Sequence, residues 1–205
     1  MNIAIWLTVV SICLLGAMSP GPSLAVVLRQ TVSGGRKTGV IAAISHGLGI
    51  GFYALACISG LAVMITTSPV LFKTMQWLGA AYLVWLGVKG LRARAGQGAE
   101  LAEPPTTGSA ARDGFLVVFL NPKVAVFFIA LFSQVIGTET TWPEKLVYAA
   151  TALFIDMGWY VVVAWSFSNP RWLGYLQRNV VWFERAFGLI LIALAMRFLT
   201  GGLGG

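Results

Sequence analysis

Ser19-Pro20-Gly21-Pro22 interrupts an apolar stretch, Met1 to Leu28, that carries no charged residue. About a hundred residues later, Asn121-Pro122-Lys123 interrupts a second apolar stretch in the same way. Each places a good N-cap residue, Ser19 or Asn121, directly before a proline, the pair expected where a helix starts. A helix that starts inside a bilayer leaves backbone N–H groups unpaired in hydrocarbon. That is costly unless those groups line a cavity or bind something. Two broken helices, one in each half of a chain, point to the binding site of a transporter.

Composition supports the membrane setting. Of 205 residues, 58% are hydrophobic and 10% charged, with a mean hydropathy of +0.82. Globular chains carry about a quarter charged residues. A second uncharged run extends from Thr38 to Phe72, and about 20 apolar residues suffice to cross the hydrocarbon. No sizeable water-soluble domain is left over. The N-terminal stretch lacks the positive n-region of a secretory signal and reads as a retained first span. Cys13 and Cys57 both fall in apolar segments, so neither a disulfide framework nor a zinc site is suggested. With His46 the single histidine, a His-based metal cluster is excluded. No metal and no cofactor are expected.

The chain therefore reads as an all-α integral membrane protein with six transmembrane helices, near 3–28, 39–66, 70–91, 114–136, 145–168 and 180–200. In the sixth, Glu184 and Arg185 leave only Ala186 to Met196 free of charge, and a five-span arrangement is the alternative. Arg29, Arg36, Lys37, Lys89, Arg92, Arg94, Arg112, Arg171, Arg178 and Arg185, ten of the fourteen Lys+Arg, sort to one side. Only Lys73, Lys145 and Arg197 sort to the other. The positive-inside rule makes the basic side cytoplasmic and puts both termini outside. The net charge of +7 is then a topology signal, with anionic lipid at the cytoplasmic loops as its partner. Basic residues spread over three loops beside membrane spans do not suit nucleic acid. Ala93 to Asp113, rich in Gly, Ala, Pro, Ser and Thr, reads as a cytoplasmic linker. It divides the chain into a first three-helix half (1–92), the linker (93–113) and a second three-helix half (114–205). Three spans per half give the halves opposite orientations, a 3+3 inverted repeat with helices one and four broken.

Pro20 lies nine residues before Arg29, and Pro122 nine residues after Asp113. At 1.5 Å per residue both are about 13 Å from the cytoplasmic boundary, near the middle of a ~30 Å core. The helices that follow run in opposite directions, so their N-termini can meet at the midplane. There they present positive dipole ends and free N–H donors suited to a carboxylate. The plainer alternative is two prolines that merely kink lipid-packed helices. Asp156 is the single charged residue of Leu146–Phe167, eleven residues and about 16 Å beyond Lys145. Such a carboxylate is costly unless paired, protonated or hydrated, and marks a functional site by default. Trp159 and Tyr160 follow at i+3 and i+4, on its face. A carboxylate beside aromatic rings can hold an ammonium, or it can carry a coupling proton. A structural Asp156–Lys123 ion pair is the alternative. Lys123 itself either adds to the anion site or neutralises Asp156. His46 reads as a hydrogen-bonded packing residue. Gly39, Ala43, Gly47 and Gly51 form a small-residue stripe on which another helix can pack closely.

With these residues in place, the chain resembles the LysE/RhtB family of amino-acid exporters over essentially its whole length. The resemblance rests on SPGPS (Ser19–Ser23), GVIAAISHGLGIGFY (Gly39–Tyr53) and WLGAAYLVWLGVKGLR (Trp77–Arg92). It also rests on GFLVVFLNPKVAVFF (Gly114–Phe128) and the Asp156 span. It implies a multi-pass exporter of the bacterial inner membrane, carrying amino acids or their derivatives and driven by the proton-motive force. The family's motif positions fall on Pro20, Gly21, Pro22, Asn121, Pro122, Lys123 and Asp156. The expected mechanism is alternating access, with the helix N-termini and Lys123 on the substrate carboxylate and Asp156 on its ammonium or on the proton. An intramembrane hydrolase and a scaffold subunit without cargo are the rivals. Association with a second copy of the chain stays open.

Overall fold

Proline sets most of the helix starts. It has no N–H to lose in a first turn, and its ring fixes φ near the helical value. The computed structural model describes residues 2–93 and 109–199, which hold seven helices and no strand. They are α1 (Ile3–Met18), α2 (Pro22–Thr67), α3 (Pro69–Leu91), α4 (Ala110–Leu120), α5 (Pro122–Val135), α6 (Trp142–Phe167) and α7 (Pro170–Leu199). Four of the seven begin on proline, and α6 has Pro143 as its second residue. Its start is also held by Glu144, whose carboxylate accepts from the Thr141 N–H at 2.8 Å and from the Thr141 hydroxyl at 3.0 Å. The bond from the backbone N–H is the largest of the causes that lower the Glu144 pKa to about 2.

Both expected breaks are present, with one correction. Pro20 bars the helical conformation from the residue before it, so Ser19 is extended (φ −67°, ψ 123°) and closes α1. The next helix starts at Pro22, not Pro20, with Gly21 at its N-cap. Ser19 is thus the end of one helix and not the cap of the next. Asn121 does cap α5, its side-chain oxygen accepting from the Lys123 N–H at 3.1 Å. The axes of α4 and α5 are bent by 59° at that point.

Three loops differ from the sequence reading. The expected loop from Arg29 to Lys37 is only a kink at Gly35 inside α2 (φ 81°, ψ 175°), a conformation open essentially to glycine. Arg171, Arg178 and Arg185, expected in a loop, lie within α7. A helix that is polar at its start is invisible to a search for apolar runs. The expected linker falls mostly on residues 94–108, which lie outside the described residues; its last residues, Ala110 to Asp113, already belong to α4.

The small-residue stripe does what its spacing predicts. An added Cβ at Gly47 would lie 2.5 Å from the Met157 Cβ, one at Gly51 2.5 Å from Leu153, and one at Gly39 3.1 Å from the Ala164 Cβ. Backbones of α2 and α6 therefore meet at close range along this line. On another face of α2, Gly49 packs on Val118 of α4, while Gly87 and Gly188 bring α3 and α7 together. Polar ties supplement the packing. Asp113 of α4 accepts from Arg29 at 3.1 Å and Gln30 at 2.8 Å, and the Trp6 indole of α1 donates to Thr151 of α6 at 3.1 Å. Of the described helices, α2 and α6 are each long and apolar enough to cross a bilayer, and α4 and α5 reach that length and apolarity only when taken together as a bent pair. Large apolar side chains such as Phe52, Leu78, Phe154 and Leu189 cover the outside, a surface suited to lipid rather than water.

Candidate functional site

The two helix breaks touch. Lys123, in the first turn of α5, reaches across and donates to the Ser19 hydroxyl and to the Pro20 carbonyl at 2.7 Å. Among the described residues no backbone N–H bonds that carbonyl, which also accepts from the Ser19 hydroxyl at 3.5 Å. The Asn121 amide donates to the Ser23 hydroxyl at 3.3 Å. Asn121 therefore serves twice, capping α5 with its oxygen and joining α2 with its nitrogen. The Lys123 ammonium also stands 5.3 Å from the centre of the Phe187 ring, a cation–π contact that keeps a buried charge in place. No side chain caps the first turn of α2, because Gly21 has none to offer. Its N–H groups and the Lys123 ammonium form one positive corner.

A negative pole faces this corner. Asp156 is buried on α6, and its Oδ2 lies 2.6 Å from Nδ1 of His46 on α2. His46 is 1% exposed and its Nε2 has no hydrogen-bond partner. Tyr160, one turn beyond Asp156, sets its ring edge-on to the imidazole, 4.8 Å between centroids. An unsatisfied buried ring nitrogen is costly and calls for an explanation. A hydrolase would use such an Asp–His pair with a hydroxyl on the far nitrogen, and among the described residues no hydroxyl bonds His46 Nε2.

Between the poles lies a cavity of about 50 Å³ with room for a few waters. Ser19, Gly21, Asn121 and Lys123 form one wall, and His46, Asp156 and Tyr160 another. Ile50, Phe127, Phe128 and Leu191 supply apolar lining between them. Behind the Lys123 wall a larger vestibule of about 790 Å³ opens between α2, α3 and α7, and Pro20, Pro22 and Pro122 line it. Lys123 stands in the partition between the two spaces.

Of the residues singled out in the sequence, nine line one or both of these spaces. Trp159 does not: it packs with Leu24, Val27 and Val163 in a separate cluster, and its indole nitrogen is buried without a partner. The Asp156–Lys123 ion pair does not form, since each group has another partner. The residue that sequence reasoning passed over is His46. Its neighbour Gly47 is the stripe glycine that packs on Met157, and Met157 adjoins Asp156. Laying the stripe against the Asp156 helix would have paired the two.

The sequence profile of LysE type translocators matches residues 14–202. The chain belongs to this translocator family. Similar proteins are an uncharacterized membrane protein, YahN, of Escherichia coli K12, 29% identical over 97% of this chain and 90% of the relative. A leucine efflux protein of Klebsiella pneumoniae is 29% identical over 88% of each chain. A threonine efflux protein of Escherichia coli K12 is 25% identical over 95% of this chain and 97% of the relative. No solved structure matches the chain.

Proposed function

We propose that this LysE-family protein exports amino acids or their derivatives across the bacterial inner membrane by alternating access, driven by protons. The observation that carries the reading is the paired poles: Lys123 beside the uncapped α2 N-terminus, and the Asp156–His46 pair across the cavity. Those poles match the carboxylate and ammonium of a zwitterion, with Ser19, Gly21 and Asn121 shaping the carboxylate side. Efflux proteins for leucine and threonine among the relatives support the same substrate class.

In this mechanism the substrate carboxylate draws the Lys123 ammonium away from Ser19 and the Pro20 carbonyl, opening the partition between vestibule and cavity. Asp156, with His46 behind it, takes either the substrate ammonium or the incoming proton. Because both cannot hold the carboxylate at once, proton entry and substrate exit exchange on one group, and differential affinity supplies the coupling. The vestibule, bordered by Lys89 and Arg92, faces the cytoplasm under the positive-inside rule. We further propose six spans in two inverted halves, the first within 1–92 and the second from α4 onwards, with α1 matching α4 and the Gly35-to-Thr67 segment of α2 matching α6. Cross-half pairings of α2 with α6 and α3 with α7 support that assignment.

Purified protein in liposomes, loaded with labelled amino acids and given an inside-alkaline or inside-acid pH step, tests the reading. Label efflux that follows the sign of the proton gradient is expected. Flux indifferent to the gradient refutes the coupling, and no flux of any amino acid refutes export.

A further inference from the structure

We infer that the substrate is an amino acid with an uncharged, apolar side chain; the inference rests on the export reading and narrows it. Two separate regions support it. The first is the vestibule beside the cavity, which has space for a whole amino acid. Its charged lining is Lys89, Arg92 and Lys123 against Glu184 alone. A cationic side chain approaching along it meets an excess of like charge, and walls of low dielectric concentrate that field.

The second region is the cavity. Among the described residues, Asp156 is the one carboxylate that lines it, and its Oδ2 is already in contact with His46. A lysine or arginine substrate brings two cations and finds one anion. A glutamate substrate brings two anions and finds one ammonium, Lys123, with its second carboxylate forced against apolar wall or towards Asp156. Burying a charge without a partner is costly enough to exclude both classes. What remains between the two poles is Ile50, Phe127, Phe128 and Leu191. An added Cβ at Gly16 would lie 2.4 Å from the Phe127 ring, so the glycine lets that ring stand in the wall. Nothing in this stretch of wall can hydrogen-bond a substrate hydroxyl. A polar side chain lying along it loses its water and gains no partner from these four residues.

Counterflow in liposomes tests the inference. Vesicles holding the full-length protein are preloaded with unlabelled leucine, methionine, threonine, lysine or glutamate, and uptake of labelled leucine is followed. Leucine and methionine should drive counterflow at least about tenfold faster than threonine, lysine or glutamate, within the range that apolar pockets achieve. Equal counterflow with lysine or glutamate as the preload overturns the inference while leaving export intact. Equal counterflow with threonine overturns the apolar restriction. No counterflow with any preload sinks the export reading and this inference with it. A variant separates the two regions: Arg92→Glu should raise the lysine-to-leucine ratio severalfold, and an unchanged ratio refutes the role of the vestibule.

Discussion

The two helix breaks look alike in sequence and are built differently. At Ser19–Gly21 the break is three residues long, with Ser19 and Gly21 extended, and the next helix starts without a side-chain cap. At Asn121 the break is a single residue that caps its own helix. One break leaves backbone donors and a carbonyl for others to use. The other caps its own first turn and sends out a lysine that donates to that carbonyl. Similar punctuation by proline thus produces one receiving end and one reaching end, and the site exists because they meet.

The largest expected effect comes from cutting the link between them. Lys123→Met keeps the length of the side chain and removes its charge and hydrogen bonds. Transport should fall about a hundredfold, the cost of truncating one partner of a buried charged contact; near-normal flux in liposomes would show that the breaks work without the lysine. Next is the pole opposite them. Asp156→Asn should insert and fold, yet lower gradient-driven efflux at least about tenfold. Exchange without a gradient survives if Asp156 carries the proton and is lost if it binds the substrate ammonium. Full gradient-driven transport by this variant would reject both roles.

Smaller substitutions set one break against the other. An added Cβ at Gly21 would lie 3.3 Å from the Lys123 ammonium, and the backbone there is extended, so no strain is added. Gly21→Ala should therefore slow transport severalfold with little change in thermal stability. Asn121→Ala should cost about 1 kcal/mol of stability, the ordinary loss of a helix cap, measured as a lower unfolding temperature in detergent. If the two variants trade places, with the glycine change unfolding the protein and the asparagine change sparing stability, the contrast between receiving and reaching ends is wrong.

Much of this was legible before any coordinates. Pro20, Pro22 and Pro122 announce interruptions because proline acts locally on its own backbone. Asp156 announces itself by the cost of its setting, and Gly39, Ala43, Gly47 and Gly51 by their spacing. What escaped depends on which helix meets which. Ser19 reads equally well as the end of one helix or the start of the next until the start of α2 at Pro22 is seen. Gly35 looks like a loop glycine because the arginines and lysine around it suggest a loop, whereas a single left-handed residue suffices for the kink. His46 looks like packing until α2 is laid on α6. Trp159 shares a helix with Asp156, but 3.6-residue periodicity gives a face about a third of a turn wide, and the cavity takes only the Tyr160 side of it.

Gly35 also sets a mechanical ratio. The segment from Pro22 to Gly34 is a rigid rod about 20 Å long, pivoted at one residue whose missing side chain leaves open space. A swing of only about 5° at that pivot carries the Ser23 end through about 1.7 Å. That travel is enough to part the 3.3 Å bond between Asn121 and Ser23. His46 sits on the other side of the pivot and need not move at all. Gly35 thus sits where a change of angle would be felt most at the far end of the rod, beside Asn121.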